Sequence, residues 1–330
     1  MTATAQSSGG PSRFSRIRAF RPVLLMFLGI TLLIYLVKRT EPAQLLHALE
    51  QAGSWLPLLV ALEALLLAAD TVAFAALIAP AHAVTARGWL RSSAASYVCC
   101  VLLPAGRAVG EAARAALVAP HTGAKRAVVA GTELQAVSLL ADGIVSAVGA
   151  CVVFWAVGGA QHLASALLGN GWLVTLAGAV LLCAVRSSAA GTWLKEKFPR
   201  LAGALPRGEI GTRGSAWSAG AWSVLGRLLQ VLQYGIAIFA VGGAFGVKSA
   251  FLAHGVHMVG ATVGVFVPNQ VGVAEAAYLV FANVLGFGGA PARALAAVLA
   301  VRCAQILLVI ACLSVMALLR EPAPSARAVT

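Results

Sequence analysis

The chain has 330 residues, of which 60% are hydrophobic and only 11% charged, and its mean hydropathy is +0.89. That composition excludes an ordinary soluble domain and indicates an integral membrane protein. The formal net charge of +13 does not indicate nucleic-acid binding, because the basic residues cluster beside apolar stretches and are not interleaved with base-stacking aromatics.

Residues 1–20, with the run SSGGPS, read as a disordered cytoplasmic tail. Arg13, Arg16, Arg18 and Arg21 precede a first apolar stretch at 22–37. Lys38-Arg39 follows without an A-x-A-like cleavage site, so this stretch reads as an uncleaved anchor and not a signal peptide. Further stretches long enough to span a hydrocarbon core lie at about 55–80, 128–157, 163–185, 216–244 and 291–319. Two more, about 92–118 and 250–287, are interrupted near their middles. Arg186, Lys195, Lys197, Arg200, Arg207 and Arg213 occupy the longest loop, and the last ten residues, EPAPSARAVT, read as a second cytoplasmic tail. What remains leaves no room for an extramembrane catalytic domain.

The basic clusters orient the chain, since cytoplasmic loops facing anionic lipid carry the excess of Lys and Arg. An all-α polytopic membrane protein with six full transmembrane helices and two re-entrant broken-helix hairpins puts every strong basic cluster on the cytoplasmic side. Both termini are then cytoplasmic, and the protein is expected in the cytoplasmic (inner) membrane. The organisation is a single membrane domain over 21–320, flanked by the tails 1–20 and 321–330. The two broken segments resemble each other. PAGRAVGEAARAALV begins at Pro104 and PNQVGVAEAAYLVF at Pro268; in both, a Val lies five and a Glu-Ala-Ala begins seven residues after the proline. The leading spans would run in opposite senses, giving inverted repeats over about 55–185 and 216–319. Broken helices at corresponding positions of inverted repeats mark a midplane substrate site.

Charges inside the membrane support that reading. Glu63, Asp70, Glu111, Glu133, Asp142 and Glu275 fall in apolar segments, where an ionised group costs roughly 2.5–3.5 kcal/mol at the helix centre and therefore needs a partner. Arg107, Arg114, Arg227 and Arg302 are the cations at that depth. Arg107, Glu111 and Arg114 share one helical face after the Pro104–Gly106 break. Gln135, Ser138, Asp142, Ser146 and Gly149 form one polar stripe, and Ser223, Arg227, Gln230 and Tyr234 form another. Such stripes also serve as hydrogen-bonded glue between helices. In the second hairpin Val271 and Tyr278 stand where the first has Arg107 and Arg114, which leaves Glu275 with fewer local cationic partners; its other reading is a helix cap. His254 and His257 lie one turn apart, but no H-E-x-x-H or third spaced ligand accompanies them, so neither a metal nor a cofactor is expected. The six cysteines lie in apolar segments without C-x-x-C spacing and read as packing residues.

PAGRAVGEAARAALV, GTELQAVSLLAD and VPNQVGVAEAAYLVFANVLGFGGAPARALAAVLAVR together resemble successive motifs of the lysylphosphatidylglycerol synthase transmembrane region, a flippase-like membrane-domain family. The resemblance covers roughly 15–320 and is most specific at Pro104, Arg107, Glu111, Arg114, Asp142, Pro268, Gly272, Glu275 and Arg302. It implies movement of a charged-head-group lipid between leaflets, with no enzymatic activity, because no acyltransferase-like soluble domain follows. The residues expected to contact substrate are Arg107, Glu111, Arg114, Asp142, Glu275, Arg302, Gln135 and Arg227. Free N–H groups near Gly106, with Arg107 and Arg114, suit a phosphate, while Glu275 and Asp142 suit an amine or a coupling proton. Alternatives are a non-transporting lipid-binding accessory protein, with a lipid-biosynthesis partner or a second copy as its associate, and a membrane-embedded lipid-modifying enzyme.

Overall fold

The computed structural model describes residues 13–78, 83–156, 161–186 and 213–319. The expected tail 321–330 and most of the basic loop fall outside these residues. Among the described residues the fold is all-helical. In chain order the helices are α1 (Arg13–Arg39), α2 (Pro42–Gly53), α3 (Leu56–Leu77), α4 (Ala86–Leu102), α5 (Gly106–Thr122), α6 (Ala124–Ala156), α7 (Gln161–Arg186), α8 (Arg213–Ala240), α9 (Val247–Val263), α10 (Val273–Val280) and α11 (Pro291–Leu318). Helices α3, α6, α7, α8 and α11 are long and apolar enough to cross a membrane, as expected from the apolar windows. The 22–37 stretch lies within α1, which starts at Arg13, inside the segment expected to be a tail. Pro22 stands between the arginines and the aliphatic run, and the helix continues through it.

Two prolines create the two breaks. Proline disfavours helical geometry in the residue before it, and here Leu103 (φ −107, ψ 151) and Val267 (φ −90, ψ 128) are both extended. After each break the chain folds back on itself. A side chain at Gly106 would collide with the Cys100 carbonyl, and one at Gly110 would lie 2.6 Å from the Ser96 carbonyl oxygen, so α4 and α5 diverge antiparallel from Pro104. In the second segment a side chain at Gly264 would meet Gln270 at 2.9 Å and one at Gly260 would meet Ala274 at 3.0 Å. Both interrupted stretches are therefore helical hairpins, the second with a short return arm. The three non-glycine residues with positive φ among the described residues, Ala105, Asn269 and Gln270, all sit at these breaks.

Helices α3 and α8, which precede the two hairpins, pack against each other antiparallel. Gln233 donates to Leu59 and Glu63, whereas Gly226 faces Ala69. Helix α2 has no counterpart among the expected elements. It is amphipathic, buries Leu45, Ala48 and Ala52, and packs on α11. At 12 residues it is too short for a span, so an apolar-window reading passes over it. Helix α1 crosses the second break, where Gly29 and Gly272 let the two backbones meet without side chains between them.

Candidate functional site

The hairpins, α3, α6, α8, α9 and α11 enclose a chamber of about 370 Å³. Its wall includes Arg107, Glu111, Arg114, Gln135, Asp142 and Arg227, six of the eight expected residues. The charges are organised in two groups. Asp142 on α6 takes an ion pair from Arg107 at 3.3 Å and a second, closer one from Arg227 Nε on α8. Arg227 also donates to Gln230 Oε1 at 3.0 Å, and its Nη2 has no hydrogen-bond partner although the residue is only 9% exposed. Arg114 pairs with Glu111 at 3.4 Å, donates to the Asp70 carbonyl oxygen at 3.3 Å and lies 5.4 Å from the Phe74 ring centroid. With 1% exposure it is buried among these groups, while its Nε has no hydrogen-bond partner, so its role in the wall is structural as well as electrostatic.

The start of α5 reaches the chamber with its donors open. Its N-terminal residue is preceded by Ala105 in the left-handed region (φ 52, ψ 33), which supplies no side-chain cap. No acceptor among the described residues takes the N–H groups of Gly106 or Arg107, both of which line the chamber. Open backbone donors at a helix start require water, protein or a ligand opposite them.

Glu275 and Arg302 are brought together beside the chamber and do not line it. Glu275 is fully buried and accepts the Gly272 N–H at 2.7 Å, so it caps α10; Arg302 Nε pairs with its other oxygen. Arg302 Nη1 donates to the Asn269 carbonyl at 2.6 Å, and Asn269 Nδ2 reaches Gln305 Oε1 at 3.4 Å. Asn269 and Gln305 do face the chamber. The shortage of cationic partners expected for Glu275 is corrected here: Arg302, one helix later, supplies what Val271 and Tyr278 do not. Arg186 is half-buried and paired too, because the last turn of α7 brings its guanidinium onto the buried Glu133 of α6.

The chamber also contains residues outside the expected set. Glu63 accepts Tyr97 Oη–H at 2.9 Å and Gln233 Nε2–H at 2.8 Å, while the carboxylate of Asp70 has no hydrogen bond or ion pair among the described residues. His257 contributes a ring stacked on Tyr234, 4.5 Å between centroids, and its Nδ1 has no partner. Glu63 and Asp70 were visible as intramembrane charges seven residues apart, which is the signal that could have assigned them to the site. Tyr97 and Gln305 carry no such signal, and the His254 and His257 pair, one turn apart, reads only as an incomplete metal motif. Among the described residues no group of three His, Cys, Asp or Glu side chains is placed to hold a metal ion.

The family model for the lysylphosphatidylglycerol synthase TM region matches residues 23–312. The chain belongs to this family. It is accordingly a multi-pass membrane protein, in agreement with its five long apolar helices. No curated protein and no solved structure matches the chain. Within this member of the synthase TM-region family, the matched segment contains both hairpins and the whole chamber.

Proposed function

We propose that the protein is a lipid flippase that moves a charged-head-group lipid between leaflets of the cytoplasmic membrane. The family ties the chain to lipid metabolism or transport. The observation that carries the finer reading is the chamber itself. Two broken helices and a set of opposed charges meet around one polar space in an otherwise apolar fold, the arrangement found at transporter substrate sites. Antiparallel packing of α3 on α8 supports inverted repeats, since these helices precede equivalent hairpins. Re-entry of both hairpins, a sixth span in α1 and cytoplasmic termini belong to the same reading.

The head group enters the chamber, with its anionic part at the open N–H groups and Arg107, and any amine at the unpaired Asp70 carboxylate. The hydrocarbon chains carry no hydrogen-bonding groups, so only the polar part needs the protein's hydrogen bonds to cross. On this reading translocation without covalent change is the expected activity. Reconstitution into vesicles with mass-labelled membrane lipid extracts tests it by following leaflet exchange and covalent modification together. Exchange of unmodified lipid supports the flippase. Binding without exchange would assign the accessory role, and modified product would assign an enzyme.

A further inference from the structure

A second cavity, about 380 Å³, lies between α5 and α6 with Leu181 of α7 at its edge. Its α5 wall is a succession of alanines, Ala108, Ala112, Ala115, Ala116 and Ala119, and its α6 wall is Ala124, Val128, Gly131 and Thr132. Ala108, Glu111 and Gln135 are common to this groove and to the polar chamber, so the two spaces meet there. At that junction Gln135 Oε1 is enclosed and has no hydrogen-bond partner.

We propose that this groove holds one hydrocarbon chain of the lipid whose head group occupies the chamber, which rests on the flippase reading above. Packed helices ordinarily interdigitate, but here Ala112 and Ala116 remain exposed and present only methyl groups, leaving a trough that neighbouring side chains do not fill. From Ala108 to Ala119 the trough runs about 16 Å at ~1.5 Å per residue, roughly half of a ~30 Å hydrocarbon core. It thus extends across one leaflet, from the break to the α5–α6 turn at Gly123. A chain already in lipid gains little hydrophobic free energy by entering such a trough. What it gains is close contact with the walls, and what the protein gains is a fixed direction for the attached head group. The polar end points at Glu111, Gln135 and the open α5 start; the apolar end stays in the leaflet it came from.

The test uses nanodiscs of phosphatidylglycerol and phosphatidylethanolamine, each doped with the same lipid carrying a mid-chain diazirine. After irradiation the labelled peptides are mapped. Label is expected to concentrate on residues 108–132 relative to the exposed α7 face around Trp172 and Leu176. Ala112→Leu and Ala116→Leu, tested separately so that a packing defect in one leaves the other informative, are expected to lower it about tenfold, the equivalent of roughly 1.4 kcal/mol of lost contact. Equal labelling of the α7 face, unchanged labelling in both folded variants, or cross-links from a second copy of the chain at this groove would overturn the proposal. Groove labelling without leaflet exchange keeps the groove and removes transport. Exchange without groove labelling does the reverse.

Discussion

Replacing Asp142 with Asn removes the one carboxylate that two arginines share. The side chains of Asp142 and Arg227 are 9% and 11% exposed, whereas Arg107 is 30% exposed, so the two pairs are not equivalent. Arg227 would be left as an uncompensated buried cation, with Gln230 as its remaining acceptor. Breaking such a pair costs about 3–5 kcal/mol, and the more solvated Arg107 adds less than about 1 kcal/mol. The Gln230 hydrogen bond moderates the loss, giving an expected destabilisation of about 3 kcal/mol, or roughly a hundredfold in the folding equilibrium. Equilibrium unfolding in mixed micelles measures it. The decisive arm is the double variant Asp142→Asn with Arg227→Gln, which removes both charges and should recover about 2 kcal/mol as a coupling energy. A single variant within about 0.5 kcal/mol of wild type, with additive effects in the double variant, would refute the charge-sharing account.

Gly106→Ala places a methyl group against the Cys100 carbonyl, a backbone clash that side-chain rotation cannot relieve; a destabilisation of at least about 2 kcal/mol, measured in the same micelles, is expected. Glu275→Gln should strand Arg302 and loosen the second break, costing about 3 kcal/mol, whereas Glu275→Gln with Arg302→Gln should fold better than the single variant; equal stability of all three proteins would remove the clamp. Asp70→Asn deletes an unpaired charge and should change stability by less than about 1 kcal/mol while abolishing exchange of amine-bearing lipids in the vesicle assay, and full exchange would take Asp70 out of the substrate path. For the orientation, single cysteines in a cysteine-free background should be labelled from outside at position 290 and only after permeabilisation at position 123; the reverse pattern would invert or dismantle the two-hairpin topology.

The two breaks were legible because their cause is local. Pro104 and Pro268 act on the residue immediately before them, and the glycines that allow the arms to close stand a few positions away. The Arg107, Glu111 and Arg114 face was legible for the same reason, since helical spacing alone places the three together. Long-range pairing was not. Glu275 meets Arg302 across two helices, Glu133 meets Arg186 from the far end of α7, and neither partner can be chosen from sequence spacing. Helix α2 escaped because its apolar positions are too few for a span, although its amphipathic period could have marked it as a packed or interfacial helix. Tyr97, His257 and Gln305, on three different helices, become neighbours in the chamber only through tertiary packing.

The hairpins share a sequence frame but end in opposite hydrogen-bonding states. At the second break Glu275 closes the α10 start by accepting the Gly272 N–H, Arg302 neutralises that carboxylate, and the same guanidinium covers the Asn269 carbonyl. Glycine-mediated contact with α1 then holds the backbone from outside. At the first break the residue matching Glu275 is Glu111, yet it turns to Arg114 and leaves the α5 start uncapped. The difference follows from the arginines carried by the first hairpin: Arg114 engages the carboxylate and Arg107 looks across to Asp142. An unfilled set of donors is tolerated here because it faces a chamber that water or a polar head group can occupy. On the proposed function the second hairpin is therefore the fixed wall, and the first supplies the donors that a lipid head group exchanges for water as it crosses.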